Sequence, residues 1–124
     1  MNSYVGDYSG LMTSFGNANY RIFNKFADFT VPGPANTFIF LDECPDSIND
    51  GLFQVNMTAN SWSDIVASLH SGGGNLSFAD GHAEIHKWKD AVTKAPVVKG
   101  QCPAYGKTSP NDYLWLQQRT TALK

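Results

Sequence analysis

The chain has 124 residues, a formal net charge of −2 and only 16% charged side chains. This length is typical of one domain with a modest core, so residues 1–124 are expected to form a single domain. The scarcity of basic residues argues against a nucleic-acid-binding surface. The sequence contains no run of about 18 apolar residues, so it predicts no membrane span.

The first half of the chain contains two candidate strands. The segment before them, Tyr4–Phe29, has no sustained period, and its part Asn19–Phe29 is compatible with a short helix or with irregular structure. Residues 36–42 are short, apolar and bounded by turn residues, which predicts a strand in the centre of a sheet. Residues 51–58 alternate apolar and polar side chains and predict a second strand.

The loop between these predicted strands is dense in oxygen-bearing side chains. They are Asp42, Glu43, Asp46, Ser47, Asn49 and Asp50. A calcium ion held by Asp42, Asp46, Asn49 and Asp50 would relieve the mutual repulsion of the carboxylates, although the spacing is not that of an EF-hand. The alternative is a solvated loop closed by Asx turns.

A β-hairpin is predicted around Asp80-Gly81, the dipeptide favoured in two-residue type I′ turns. In that register the apolar face consists of Leu76, Phe78, Ala83 and Ile85, and the polar face of Asn75, Ser77, His82, Glu84 and His86. Before the hairpin, Ser61–Leu69 could form one or two helical turns behind a capping serine.

The histidines of this region differ in what they could do. His82 and His86 would share a strand face about 13 Å apart, too far for joint binding of one ion, so they are interpreted as solvated histidines. His70 ends an apolar-containing segment and precedes three glycines. Its ring could pack against the turn or a carboxylate as a structural hydrogen-bonding group, or it could serve as a ligand or catalyst.

The last third of the chain completes a pattern of short strands and short helices. Ser109–Asp112 resembles a helix cap, and Tyr113–Thr121 predicts a short helix or a docked tail. The pattern indicates an α+β fold with an antiparallel sheet. Cys44 and Cys102 each adjoin a proline, and they are expected to form a disulfide or to remain as two thiols.

The spacing His70, nine residues, Asp80-Gly81 resembles the H-X9-DG motif of prepilin-type, processing-associated proteins, which are relatives of type II secretion pseudopilins. Residues 40–51, 78–88 and 111–121 also resemble that family. The resemblance implies the C-terminal globular head of a filament subunit in the periplasm or at the cell surface, with pilin-like subunits or secretion-system components as partners. It further implies calcium in an acidic loop near the sheet.

The family's long apolar N-terminal helix and prepilin cleavage site do not occur in these 124 residues. The head alone is therefore expected to be soluble and not to polymerise by the family's route. The alternative function is a metal-dependent hydrolase of a small ester or lactone, with His70, Asp80 and His82 as candidate catalytic residues. Neither a Gly-x-Ser-x-Gly nor a His-Glu-x-x-His motif is present to support it.

Overall fold

A three-stranded antiparallel sheet organises the part of the chain that the structure describes. The computed structural model describes residues 1–6 and 17–124, so the part of the N-terminal prediction that falls on 7–16 lies outside the described residues. The strands are β1 (Phe38–Leu41), β2 (Gly73–Phe78) and β3 (Ala83–Lys87), and α1 (Asp112–Gln117) is a short helix. Within the described residues, 3₁₀ turns lie at Asn17–Asn19, Phe26–Asp28 and Pro34–Asn36. The predicted α+β class with an antiparallel sheet is confirmed.

The prediction that the first strand is central was wrong. The strand order is β1-β2-β3, which makes β2 the central strand. Two glycines at the start of β2 allow neighbouring backbone to approach this strand closely. A Cβ on Gly74 would lie 2.6 Å from the carbonyl oxygen of Ala67, so only glycine allows the two backbones to approach so closely.

The predicted hairpin is present, but its register differs by one residue. Leu76 pairs with Glu84 and Ser77 with Ala83, whereas the two-residue turn would pair Leu76 with Ile85. Phe78 accepts a hydrogen bond from the Gly81 amide (3.0 Å), and the φ of Gly81 is +94°. These features define a three-residue loop, a turn followed by a glycine in the left-handed region, rather than a type I′ turn.

The change of register exchanges the two faces of β3. Glu84 shares a face with Leu76, while Ile85 lies opposite Asn75 on the other face and is 56% exposed. The predicted apolar and polar faces were therefore wrong for β3, because a shift of one residue moves every side chain to the opposite face.

Neither residues 51–58 nor residues 61–69 form the predicted element. The first segment makes one isolated bridge, between Phe53 and Asn2, and other amides in it bind side chains: Gln54 N donates to Asp64 Oδ2 (2.6 Å). The second segment contains no helix and instead pairs Val66 with Glu43. Both predictions were wrong because long-range partners satisfy these backbones.

The core lies between the sheet, these extended segments and α1. Its largest buried side chains include Trp62, Tyr113, Phe38, Phe53 and Leu116. Among the described residues, no helix is long and apolar enough to cross a membrane.

The N-terminus of α1 is held by two aspartates. Asp90 Oδ2 accepts hydrogen bonds from the amides of Asn111 (2.9 Å) and Asp112 (3.1 Å). The buried Asp112 carboxylate accepts in return from the amides of Lys89 (2.8 Å) and Asp90 (2.9 Å). Of the two predicted alternatives for Tyr113–Thr121, the structure has the short helix, which ends at Gln117. The carboxylate that accepts from its first amides comes from 21 to 22 residues earlier in the chain rather than from the local Ser109–Asp112 sequence.

Candidate functional site

The start of β2 carries a polar cluster of His70, Asn75 and Asp42. Asn75 Nδ2 lies 2.8 Å from Asp42 Oδ2 and 2.9 Å from His70 Nε2. His70 Nε2 is also 3.3 Å from Asp42 Oδ2, with side-chain exposures of 47% for His70 and 42% for Asp42. The structure thus unites a candidate catalytic histidine with a candidate metal ligand, through an asparagine that sequence reasoning assigned only to a strand face.

The contact with Asn75 specifies the tautomer of a neutral His70 ring. The amide nitrogen of Asn75 can only donate, so the neutral ring accepts at Nε2 and carries its proton on Nδ1. A protonated ring would instead donate from Nε2 to Asp42, and it would lose the bond from Asn75. In the neutral ring, Asn75 therefore occupies the nitrogen that a general base would use.

The hairpin loop contains Asp80 and Gly81, which form the second end of the H-X9-DG stretch. Asp80 Oδ1 lies 2.6 Å from His82 Nδ1 and accepts a hydrogen bond from the His82 amide (3.1 Å). These bonds, that of the amide first, lower the pKa of Asp80 below its ordinary value. The His82 ring stacks on Phe78, with ring centroids 4.3 Å apart and planes 2° from parallel. Asp80 and His82 together stabilise the conformation of the loop.

The three candidate catalytic residues therefore do not converge. His82 packs on Phe78, whereas His70 bonds to Asn75 three positions earlier along β2. Three residues of extended strand span about 10 Å, so the two clusters sit at opposite ends of the hairpin. A single site built from His70, Asp80 and His82 is not formed.

His86 is not the solvated side chain that the sequence suggested. Its ring stacks on Trp115 at a centroid distance of 3.6 Å and also packs edge-on against Trp88. The guanidinium carbon of Arg119 lies 4.0 Å from the Trp115 ring centroid, and two groups so close to one ring must occupy its opposite faces. Burial lowers the pKa of His86, so this ring acts as an aromatic packing group.

The four predicted calcium ligands are placed in different settings. Asp46 Oδ2 accepts a hydrogen bond from the Val98 amide, and Asp50 Oδ1 accepts one from the Leu52 amide in an Asx turn. Asp42 faces Asn75, and Asn49 is exposed. In residues 1–6 and 17–124, no three His, Cys, Asp or Glu side chains come together as a metal-binding group.

A depression of about 500 Å³ adjoins this loop and brings together three of its carboxylates. Asp42, Glu43 and Asp50 line it, together with the exposed side chains of Ile48 and Leu69. Burial raises the pKa of Glu43 to about 7, although the Ser47 hydroxyl donates a hydrogen bond to it (2.9 Å). Glu43 therefore exchanges its proton near neutral pH.

The two cysteines lie side by side in the core. Their sulfur atoms are 3.5 Å apart, both residues are buried, and both are thiols in this structure. Burial raises the pKa of Cys44 to about 11, which disfavours its reactive thiolate form. Of the two predicted alternatives, a disulfide or two thiols, the structure has two thiols in contact.

Comparison of the chain with family models, with curated proteins and with solved structures gives no match in any of the three. The class of the protein therefore has to be argued from its residues and their geometry.

Proposed function

We propose that the chain is the globular head of a pseudopilin-like subunit, a structural component of a filament of the type II secretion or type IV pilus kind. Its place would be the periplasm or the cell surface, and its partners other pilin-like subunits or secretion-system components. The observation that carries the proposal is that both ends of the H-X9-DG stretch serve to hold the β2–β3 hairpin in place.

At the histidine end, the bonds run to the backbone and to neighbouring strands. His70 and Gly73 exchange backbone hydrogen bonds (3.0 and 3.2 Å), and the Lys87 ammonium donates to the His70 carbonyl. Through Asn75, the ring is tied to Asp42 at the end of β1. His70 thereby links the entry of β2 to both of its neighbouring strands.

At the Asp-Gly end, the residues shape the loop. Gly81 supplies the positive φ, and Asp80 bonds to the amide and ring of His82. A motif whose members all serve one supersecondary unit suits a structural module, since a catalytic motif places its polar groups around a space for substrate.

The reading frame that leads into Met1 in the genome tests the assignment. A prepilin peptidase site followed by about 20 apolar residues is expected, because subunits of this class pack through such a helix. A frame that begins at Met1 behind its own ribosome-binding site, or that encodes an unrelated domain, would remove the chain from the pilin-like class.

Calcium stabilisation stays a prediction, and the geometry supports it less than the sequence does. Asp42 and Asp50 share one depression, whereas Asp46 turns away to the Val98 amide. The melting temperature should rise with calcium over chelator, and Asp50→Asn should abolish the rise while Glu84→Gln, an exposed control, retains it. No rise for the unaltered protein would eliminate the ion.

The hydrolase remains the second candidate because His70 and Asp42 are in contact. A panel of small esters and lactones, with added divalent cations, tests it. The structural proposal predicts no turnover above that of the His70→Ala variant. Turnover that disappears in a folded His70→Ala or Asp80→Ala protein would favour the enzyme instead.

A further inference from the structure

In residues 1–6 and 17–124, strand β3 is paired on one side only, with β2. Phe78 N bonds to His82 O (2.9 Å) and Trp88 N to Gly72 O (3.0 Å), which fixes the even-numbered residues of β3 as those whose backbone groups face β2. Because these groups alternate in an antiparallel pair, the N–H and C=O groups of Ala83, Ile85 and Lys87 point outward. In the described part of the chain, no backbone hydrogen bond joins those outward groups to another segment.

The centre of this edge is apolar and accessible. Ile85 is 56% exposed, and Ala83 and Lys87 on either side of it are also exposed. A β-branched side chain in the middle of an unpaired strand favours addition of another strand, which would cover it and satisfy the free amides.

We propose that β3 pairs antiparallel with β3 of a second copy of this chain, about a two-fold axis at Ile85. The two sheets then become one six-stranded sheet. Ile85 lies opposite Ile85 of the second copy, and Ala83 lies opposite Lys87. All three outward-facing residues of each strand form hydrogen-bonded pairs in this register.

Repulsion between like charges disfavours the other registers in which two β3 strands could pair. With the axis at Ile85, Glu84 stands opposite His86 of the second copy and Lys87 opposite Ala83, so no charged residue of β3 faces one of the same sign. An axis at Glu84 or at Lys87 would place each of these charged residues opposite itself, which destabilises a sheet. An axis at His86 would oppose two histidines and leave Ala83 outside the ladder.

The contact is small, since five residues a side bury far less than a standard interface. Association is therefore expected only at high protein concentration, with a dissociation constant on the order of 1 mM. The inference does not depend on the proposed function. A monomeric head would leave the pilin-like class untouched, and a dimer would form equally well in a protein of another class.

Cross-linking of Ile85→Cys tests the register directly. In the proposed pair the two Cα atoms at position 85 are about 5.5 Å apart, within the range of a disulfide, whereas those at position 84 are about 8 Å apart. With dioxygen as oxidant, the two S–H bonds break and the S–S bond forms, and the two electrons and two protons reduce dioxygen to hydrogen peroxide. Ile85→Cys should give at least tenfold more reducible dimer than Glu84→Cys, which retains the same two buried native thiols. Equal dimer from both variants, or none from Ile85→Cys, would overturn the proposal.

Ile85→Pro tests the hydrogen bonds. Proline is tolerated on an edge strand where the missing N–H faces outward, so the hairpin should persist while the ladder to a second copy is lost. Sedimentation equilibrium at about 1 mM should show self-association of the unaltered protein and of Ile85→Val, and a monomer for Ile85→Pro. Self-association of a folded Ile85→Pro variant, or a monomeric unaltered protein, would contradict the pairing.

Discussion

Two carboxyl groups, one in the acidic loop and one in the segment 61–69, are less exposed than charged side chains usually are. Glu43 is half-buried, and Asp64 is almost fully buried against the Gln54 amide. Burial raises the pKa of both carboxyl groups, that of Glu43 to about 7. Neither shift can be read from the sequence, because it depends on which distant segments cover the carboxylate. The contact of His70 with a carboxylate was anticipated from its position before a glycine run, but the intervening Asn75 was not.

Glu43 should make folding stability depend on pH in a defined direction. Its folded pKa lies above the ordinary value of 4.5, so the unfolded chain releases the proton first and stability falls as pH rises from about 4.5 to about 7. Urea unfolding at pH 4.5, 6 and 8 should show this loss, and Glu43→Gln should reduce it. Glu84→Gln, at an exposed site, serves as the control. An unaltered pH profile for Glu43→Gln would show that this carboxyl group is solvated.

At the scale of elements, the hairpin was predictable and its register was not. Alternation and Asp80-Gly81 identify two strands and a turn, but the same dipeptide suits a two-residue loop and a three-residue loop with a left-handed glycine. The structure of the extended segments could be predicted from the sequence even less well. The Asn56 amide donates a hydrogen bond to the Tyr113 hydroxyl (2.8 Å), 57 residues away, and a local sequence pattern cannot predict so distant a partner.

Gly81 offers a direct test of the loop type. Its φ is +94° and nothing lies within 4 Å of an added Cβ, so Gly81→Ala should cost about 1–2 kcal/mol through the backbone alone. Gly51 is a matched control, because its surroundings are equally open and its φ is not in the left-handed region. Gly51→Ala should leave stability unchanged or raise it by about 0.4–1 kcal/mol in chemical denaturation. Equal effects at the two sites would contradict the left-handed conformation of Gly81.

At the scale of the whole molecule, Cys44 and Cys102 are in contact although they come from distant parts of the sequence. The sulfur atoms are 3.5 Å apart across a sequence separation of 58 residues. Closing a loop of that length by oxidation should stabilise the fold by about 4 kcal/mol in the chain-entropy account. Thiol titration after oxidation should find no free thiol, and the denaturation midpoint should rise and then fall back on reduction. Cys102→Ser should show neither change, and persistent free thiols in the oxidised protein would count against the pair.

The proposal that the molecule is the head of a pilin-like subunit is tested most directly by the mature N-terminus of the native protein. Prepilin peptidase cleaves and methylates the subunits of the class that the H-X9-DG stretch resembles. Mass spectrometry of the protein purified from its own cells should therefore find an N-methylated residue that begins an apolar helix ahead of Met1. An unmethylated N-terminus at Met1, or a signal peptidase product without that helix, would contradict the account.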